Sequence, residues 1–234
     1  METLGYRPRD WQSHPPHRDP AYKSTMQRGP TQPPIPLNHT LSEITGPVYG
    51  AESVGPLDAD LTRNAVRNGA PLGERIIVVG RVLDEDARPV PDTLIEVWQC
   101  NAAGRYIHSV DQHDAPLDPN FLGAGRCITD ADGRYRFLTV KPGAYPWGNH
   151  HNAWRPAHIH FSLFGPCFAT RLITQMYFPG DPLLALDPIY MGAPEDARER
   201  MVATLSMDAT EPGYALGYVF DIVLRGRMAT PMET

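Results

Sequence analysis

Long apolar runs are missing from these 234 residues. None approaches the ~20 residues that cross a bilayer, so no membrane partner is expected. Positive charge is also in short supply: 21 Lys and Arg stand against 27 Asp and Glu, a formal net charge of -6, which argues against a nucleic-acid binder. Charged residues make up only 21% and hydrophobic residues 41%, so the chain can bury a sizeable core and does not read as a highly charged disordered segment. Cysteine is scarce. Cys100, Cys127 and Cys167 are an odd count without a CxxC pair, which excludes a disulfide framework and fits buried thiols in a reducing cytoplasm. Residues 1–20 are polar and lack the apolar stretch of a secretory signal, in keeping with a cytoplasmic protein.

Proline and glycine are abundant, at 25 and 20 residues. The proline share is about twice its usual value of about 5%. Much of it lies in residues 1–71, including Pro15-Pro16 and Pro33-Pro34-Ile35-Pro36, where it opposes both helix and ladder. This segment reads as an extended N-terminal arm. Its scattered apolar residues (Trp11, Tyr22, Ile35, Leu37, Leu41, Ile44, Val48) are expected to pack on the core or on a partner chain.

Residues 72–234 read as one mainly β domain, an antiparallel β-sandwich with long loops and one short helix. The run 76–82 is β-branched and apolar. Along 93–99, Leu94, Glu96 and Trp98 fall on one side and Ile95 and Val97 on the other. Strands are also expected at 126–129, 135–140, 158–164, 170–178 and 218–224. Asp130-Ala131-Asp132-Gly133 is a hairpin signal. Pro194-Glu195-Asp196 opens the expected helix, which runs on to Leu205.

The chemistry begins at Arg155-Pro156-Ala157-His158-Ile159-His160-Phe161. On a strand, positions i and i+2 share a face, so His158 and His160 point one way and Ile159 points into the core. Two imidazoles on one face can reach one metal ion, or they can be half-buried and bonded to backbone. A metal needs further donors, and three sets are open. Asp130 or Asp132 would complete a two-His, one-carboxylate iron site, but both sit in a turn. Cys127 and Cys167 would suit zinc, without a recognised spacing. Tyr106 and Tyr145 are the third set. A phenol has a pKa of about 10, yet a trivalent cation can bind it as phenolate. Two phenolates with two neutral imidazoles carry two negative charges, which suits ferric iron. Otherwise these tyrosines are packing residues.

Three segments, Gly104-Arg105-Tyr106, Pro142-Gly143-Ala144-Tyr145-Pro146-Trp147 and Trp154-Arg155-Pro156-Ala157-His158-Ile159-His160-Phe161, resemble the intradiol ring-cleaving dioxygenases. The resemblance runs from the Tyr22 region to the last expected strand, with no departure at the ligand positions. It is nearest to the iron-bearing β type of chain in the branch that cleaves protocatechuate. What it implies is one non-haem Fe(III) per chain, held by Tyr106, Tyr145, His158 and His160. Tyr145 would be the ligand that leaves when substrate binds. Protocatechuate and O2 would give 3-carboxy-cis,cis-muconate in the β-ketoadipate route of aromatic catabolism. Arg155 would act electrostatically and Gln175 would hydrogen-bond a substrate oxygen. Trp147 and Ile189 would line the ring pocket, and Tyr22 would meet the substrate carboxylate. The implied partner is a homologous α chain without iron ligands, in a hetero-oligomer. The proline-rich arm, read as not helical, favours this branch over catechol 1,2-dioxygenases. Trp98, His150 and His151 read as core or loop residues. Two alternatives stand beside this reading: an intradiol enzyme for catechol or hydroxyquinol, and a transthyretin-like β-sandwich binding module without catalysis.

Overall fold

The computed structural model describes residues 11–33, 53–151, 154–165 and 171–233. Strands dominate. In chain order they are β1 (Arg75–Leu83), β2 (Leu94–Trp98), β3 (Ala124–Ile128), β4 (Arg134–Val140), β5 (Tyr145–Pro146), β6 (Trp154–Arg155), β7 (His158–Phe164), β8 (Leu172–Tyr177), β9 (Thr204–Glu211), β10 (Ala215–Val219) and β11 (Ile222–Val223). Two sheets face each other. One has the order β3-β2-β7-β8 and is antiparallel throughout. The other is built around β1, which pairs with β4 on one side and with β10 and then β11 on the other, and β9 lies outside β10. The expected antiparallel sandwich is present, and within it only the pairings of β1 with β10 and β11 are parallel among the described strands.

The core fills the space between the sheets. Ile76, Val78 and Phe137 come from one side, and Ile95, Val97, Ile159, Phe161 and Met176 from the other. Phe137 and Phe161 meet with ring centroids 5.8 Å apart at 60°. Burying each large apolar side chain contributes roughly 1.5–3 kcal/mol, so this layer holds the sheets in register. Strand parity follows from it. Ile95 and Val97 of β2, Ile159 and Phe161 of β7 and Met176 of β8 face inward. Their neighbours Trp98, His158, His160, Gln175 and Tyr177 face the other way. The ladders then place Trp98 beside His160, His160 beside Gln175 and His158 beside Tyr177.

The Asp130–Gly133 turn forms as its residues dictate: Asp130 Oδ1 accepts from the backbone of Asp132 at 2.9 Å and of Arg134 at 2.8 Å, and Gly133 takes φ of 69°. It does not close a hairpin, because β3 belongs to one sheet and β4 to the other, so the turn is a corner between layers. The expected helix to Leu205 is shorter. It spans Glu195–Arg198, continues as a 3-10 turn over Glu199–Met201 and stops, and Leu205 lies in β9.

Among the described residues the α-helices are short: α1 (Lys23–Arg28), α2 (Pro188–Gly192) and α3 (Glu195–Arg198). The first lies in the arm that its prolines marked as non-helical, in a stretch of six residues free of proline. The described part of the arm packs on the body. Tyr22 is buried, Lys23 N donates to Asn149 O at 3.2 Å, and Leu61 N donates to Leu138 O at 2.8 Å. The side chain of Trp11 and the residues Ile35, Leu37, Leu41, Ile44, Val48 and Cys167 lie outside what the structure describes.

Candidate metal centre and cavity

The outward face of β7 supplies two imidazoles, each fixed through Nδ1. His158 Nδ1 donates to Pro156 O at 2.7 Å, so its Nε2 carries the lone pair. His160 Nδ1 donates to Glu233 Oε2 at 3.0 Å, which frees its Nε2 in the same way. The two rings stand 4.8 Å apart at 77°. Burial, then the neighbouring Arg155 guanidinium, holds His158 well below the ordinary histidine range, so its imidazole is neutral. Trp98 stacks on His160 with centroids 4.7 Å apart and planes within 3°.

A loop brings Tyr106, and a second loop that runs into β5 brings Tyr145. The Tyr106 and Tyr145 rings meet edge to face with centroids 5.3 Å apart, and the Tyr145 and His158 centroids lie 5.5 Å apart, with Tyr145 Oη 3.4 Å from His158 Nε2. Asn101 joins the loops: its carbonyl accepts from Gly104 N and from Gly143 N, both at 3.0 Å. Gly104 has φ of 79°, and a Cβ there would meet Ala144 O at 2.2 Å. This position therefore requires glycine for both conformation and space. Tyr106 N donates to Asp111 Oδ2 at 2.7 Å, which sets the start of the next loop.

Among the described residues the Tyr106 hydroxyl is buried without a well-formed hydrogen bond. Leaving such a group unpaired costs about 1–3 kcal/mol, so something absent from the polypeptide is expected to meet it. Burial first, then the Tyr145 phenol beside it, pushes Tyr106 well above the usual tyrosine range. Burial also raises Tyr145, opposed by Arg155. Both phenols therefore stay protonated unless a strong cation replaces the protons. Among the described residues no group of three His, Cys, Asp or Glu could hold a metal ion. A metal ion at this place would draw on the phenol oxygens, and two phenolates with two imidazole Nε2 atoms would suit a hard trivalent ion.

Arg155 is buried beside these donors. Its Nε and Nη2 donate to the two oxygens of Asp187 at 3.0 and 2.8 Å, and the ion pair is 2% and 0% exposed. Nη2 also donates to Gln175 Oε1 at 2.6 Å and to Tyr177 Oη at 3.0 Å. Nη1 lies 3.2 Å from His158 Nε2 and 3.5 Å from Tyr145 Oη. Although burial opposes its charge, Tyr177 and Asp187 keep Arg155 firmly protonated. Asp187 in turn caps α2, accepting from Tyr190 N at 3.3 Å.

A cavity of about 590 Å³ opens over this floor, within the range of small-molecule sites. Trp98, Tyr106, Tyr145, Trp147 and His160 line it with residues of the 108–113 loop. The geometry brings together Tyr106, Tyr145, His158, His160, Arg155 and Trp147. Gln175 grips Arg155 and lies beside the Glu233 carboxyl, away from the cavity wall. Tyr22 is behind the wall, its ring packed against Trp147 with centroids 4.9 Å apart at 61°. Ile189 is buried in α2. Sequence reasoning missed Trp98, Asn101, Asp187 and Glu233. The side of β2 that carries Trp98 was legible; its neighbour across the ladder was not.

Residues 44–226 match a family model described as Dioxygenase, and residues 7–40 match one described as Protocatechuate 3,4-dioxygenase beta subunit N terminal. The protocatechuate 3,4-dioxygenase beta chain of Burkholderia cepacia is 72% identical over 226 residues, covering 97% of this chain and 96% of that one. The alpha chain of protocatechuate 3,4-dioxygenase from the same organism is 33% identical over 165 residues, covering 69% of this chain and 76% of that one. Among solved structures, 3-chlorocatechol 1,2-dioxygenase from Rhodococcus opacus 1CP superposes with a TM-score of 0.56 at 23% identity, covering 76% of this chain and 70% of that one; it shares the fold.

Proposed function

This chain belongs to the intradiol dioxygenase family, and on that premise we propose that it opens the ring of protocatechuate with O2 to give 3-carboxy-cis,cis-muconate. It acts in aromatic-compound catabolism as the iron-bearing β subunit, with a homologous α chain as its partner in a hetero-oligomer. Among the described residues no helix is long and apolar enough to cross a membrane, which is compatible with a cytoplasmic location. The observation that carries the reading is the unbroken run of neighbouring rings Tyr106, Tyr145, His158 and His160 at the cavity, with the Tyr106 hydroxyl buried and unpaired among the described residues.

Tyr106 and Tyr145 through Oη, and His158 and His160 through Nε2, would hold ferric iron. When bound there, it supplies the electron withdrawal that makes a catecholate ring reactive toward O2. The rest falls to the chain. A catechol must lose two protons to chelate, and Tyr145 Oη is placed to take one. Tyr145 has a cationic partner to turn to, since Arg155 Nη1 lies 3.5 Å from its oxygen, whereas among the described residues the Tyr106 hydroxyl has no such partner. That asymmetry supports Tyr145 as the ligand that leaves and Tyr106 as the one that stays. Arg155 carries a permanent buried charge that favours anionic oxygen at the floor of the cavity. Gln175, Tyr177 and Asp187 hold it still. Trp98 and Trp147 wall the ring pocket. Tyr22 and Ile189 shape it from behind, through Trp147 and through the helix that Asp187 caps.

Catechol and hydroxyquinol are not favoured as substrates, because the relative that matches nearly the whole chain is a protocatechuate enzyme. The test is the purified α–β assembly. It should be reddish from tyrosinate bound to iron and should consume O2 fastest with protocatechuate in a panel with catechol and hydroxyquinol. A colourless, iron-free protein after co-expression with the α chain and iron supplementation would favour a binding module instead.

A further inference from the structure

The two imidazoles are anchored by unlike means. His158 is held by a carbonyl two residues before it, at 2.7 Å, so its orientation is local to the start of β7. His160 is held by Glu233, 73 residues further along the chain, at 3.0 Å. The segment that carries Glu233 is strapped along β8. Glu233 N donates to Ile173 O at 2.8 Å, and Thr174 Oγ1 donates to Pro231 O at 2.6 Å. Met232 N donates to His14 Nδ1 at 3.0 Å, which ties the strap to the N-terminal arm. The Glu233 side chain is 19% exposed and that of His160 is 10% exposed. On its other side the His160 ring is fixed by the Trp98 stack, with planes within 3°.

We propose that Glu233 is a positioning residue for the metal centre: as acceptor for Nδ1–H it fixes the tautomer and plane of His160, so that Nε2 meets the metal. The inference rests on the iron reading above. A carboxylate behind a ligating imidazole also raises its donor strength, and loss of such a partner typically weakens metal binding or activity about 10–100-fold. Glu233→Ala removes the acceptor, while Glu233→Gln keeps an amide oxygen that can accept the same bond.

The experiment uses the full α–β assembly. It measures the half-life of iron against a chelator in the absence of substrate, the visible tyrosinate-to-iron band, and the melting temperature of the iron-free protein. In Glu233→Ala the half-life is expected to shorten about 10–100-fold and the band to shift, with metal-free melting unchanged. Glu233→Gln is expected to restore most of both. Iron retention and colour in Glu233→Ala equal to the unmodified protein would overturn the inference. So would an equal loss in both variants matched by lower metal-free melting, because that marks a purely structural strap. A colourless unmodified assembly would instead sink the iron reading itself, and the two failures are separable.

Discussion

Replacing Asp187 with Asn tests the buried charge beside the centre. The substitution keeps the shape of the side chain but removes its charge and one of its two acceptor oxygens. Arg155 then remains enclosed without its paired carboxylate, in a pair that is 2% and 0% exposed. Tyr177 Oη, 2.7 Å from Oδ2, and Tyr190 N, 3.3 Å from the same atom, lose an acceptor as well. Breaking a buried pair by deleting one partner costs about 3–5 kcal/mol. For a domain of this size that lowers the melting temperature by roughly 6–20 °C. Calorimetry at one scan rate, with O2 uptake on the same samples, reads both consequences. The double substitution Arg155→Met with Asp187→Leu removes both charges and fills similar volume, so it should melt well above the single variant. It should still turn over poorly, because no cation remains 3.5 Å from Tyr145 Oη. An Asp187→Asn protein that melts like the parent, or a double variant no more stable than the single one, would refute this account of Arg155.

Three further outcomes are expected. Gly104→Ala forces a left-handed backbone at about 1–2 kcal/mol and drives a Cβ into Ala144 O, 2.2 Å away; thermal melting and iron content should both fall, and an unchanged melting temperature would count against the joint between the tyrosine loops. Trp98→Leu removes the stack on His160, worth about 0.5–1.5 kcal/mol, and one cavity wall, so KM for protocatechuate should rise and iron should leave sooner; parent-like values of both would show that Trp98 only packs. Tyr145→His should keep part of the iron, change the visible spectrum and slow turnover by about 10²-fold or more, and normal turnover in stopped-flow measurements would remove Tyr145 from its role as proton acceptor.

What could be read from the sequence was whatever depends on short-range periodicity. The alternation His158-Ile159-His160 needed only the two-residue repeat of a strand, and the structure puts Ile159 in the core and both imidazoles opposite. The β2 pattern was legible for the same reason. What depends on pairing was not. Nothing in the Asp130–Gly133 turn says whether the next strand returns to the same sheet, because tight-turn chemistry is the same at a corner. Trp98 read as a core residue, since only the β2–β7 register sets it beside His160. Helix signals at Pro194 were real but brief, and the edge of the second sheet claimed Thr204 onward. Asp187 and Glu233 carried no signal, because their partners lie 32 and 73 residues away and a lone carboxylate looks like any other.

The two-faced strand β7 also limits how this protein can vary in length. Core and centre alternate residue by residue from His158 to Phe161. A single deletion or insertion after Pro156 would present Ile159 and Phe161 to the cavity and drive imidazoles between the sheets. Such a change cannot yield a weakened enzyme. It removes the hydrophobic seal and the ligands in one step, so gradual divergence here must proceed by substitution, with gains and losses of residues confined to the loops.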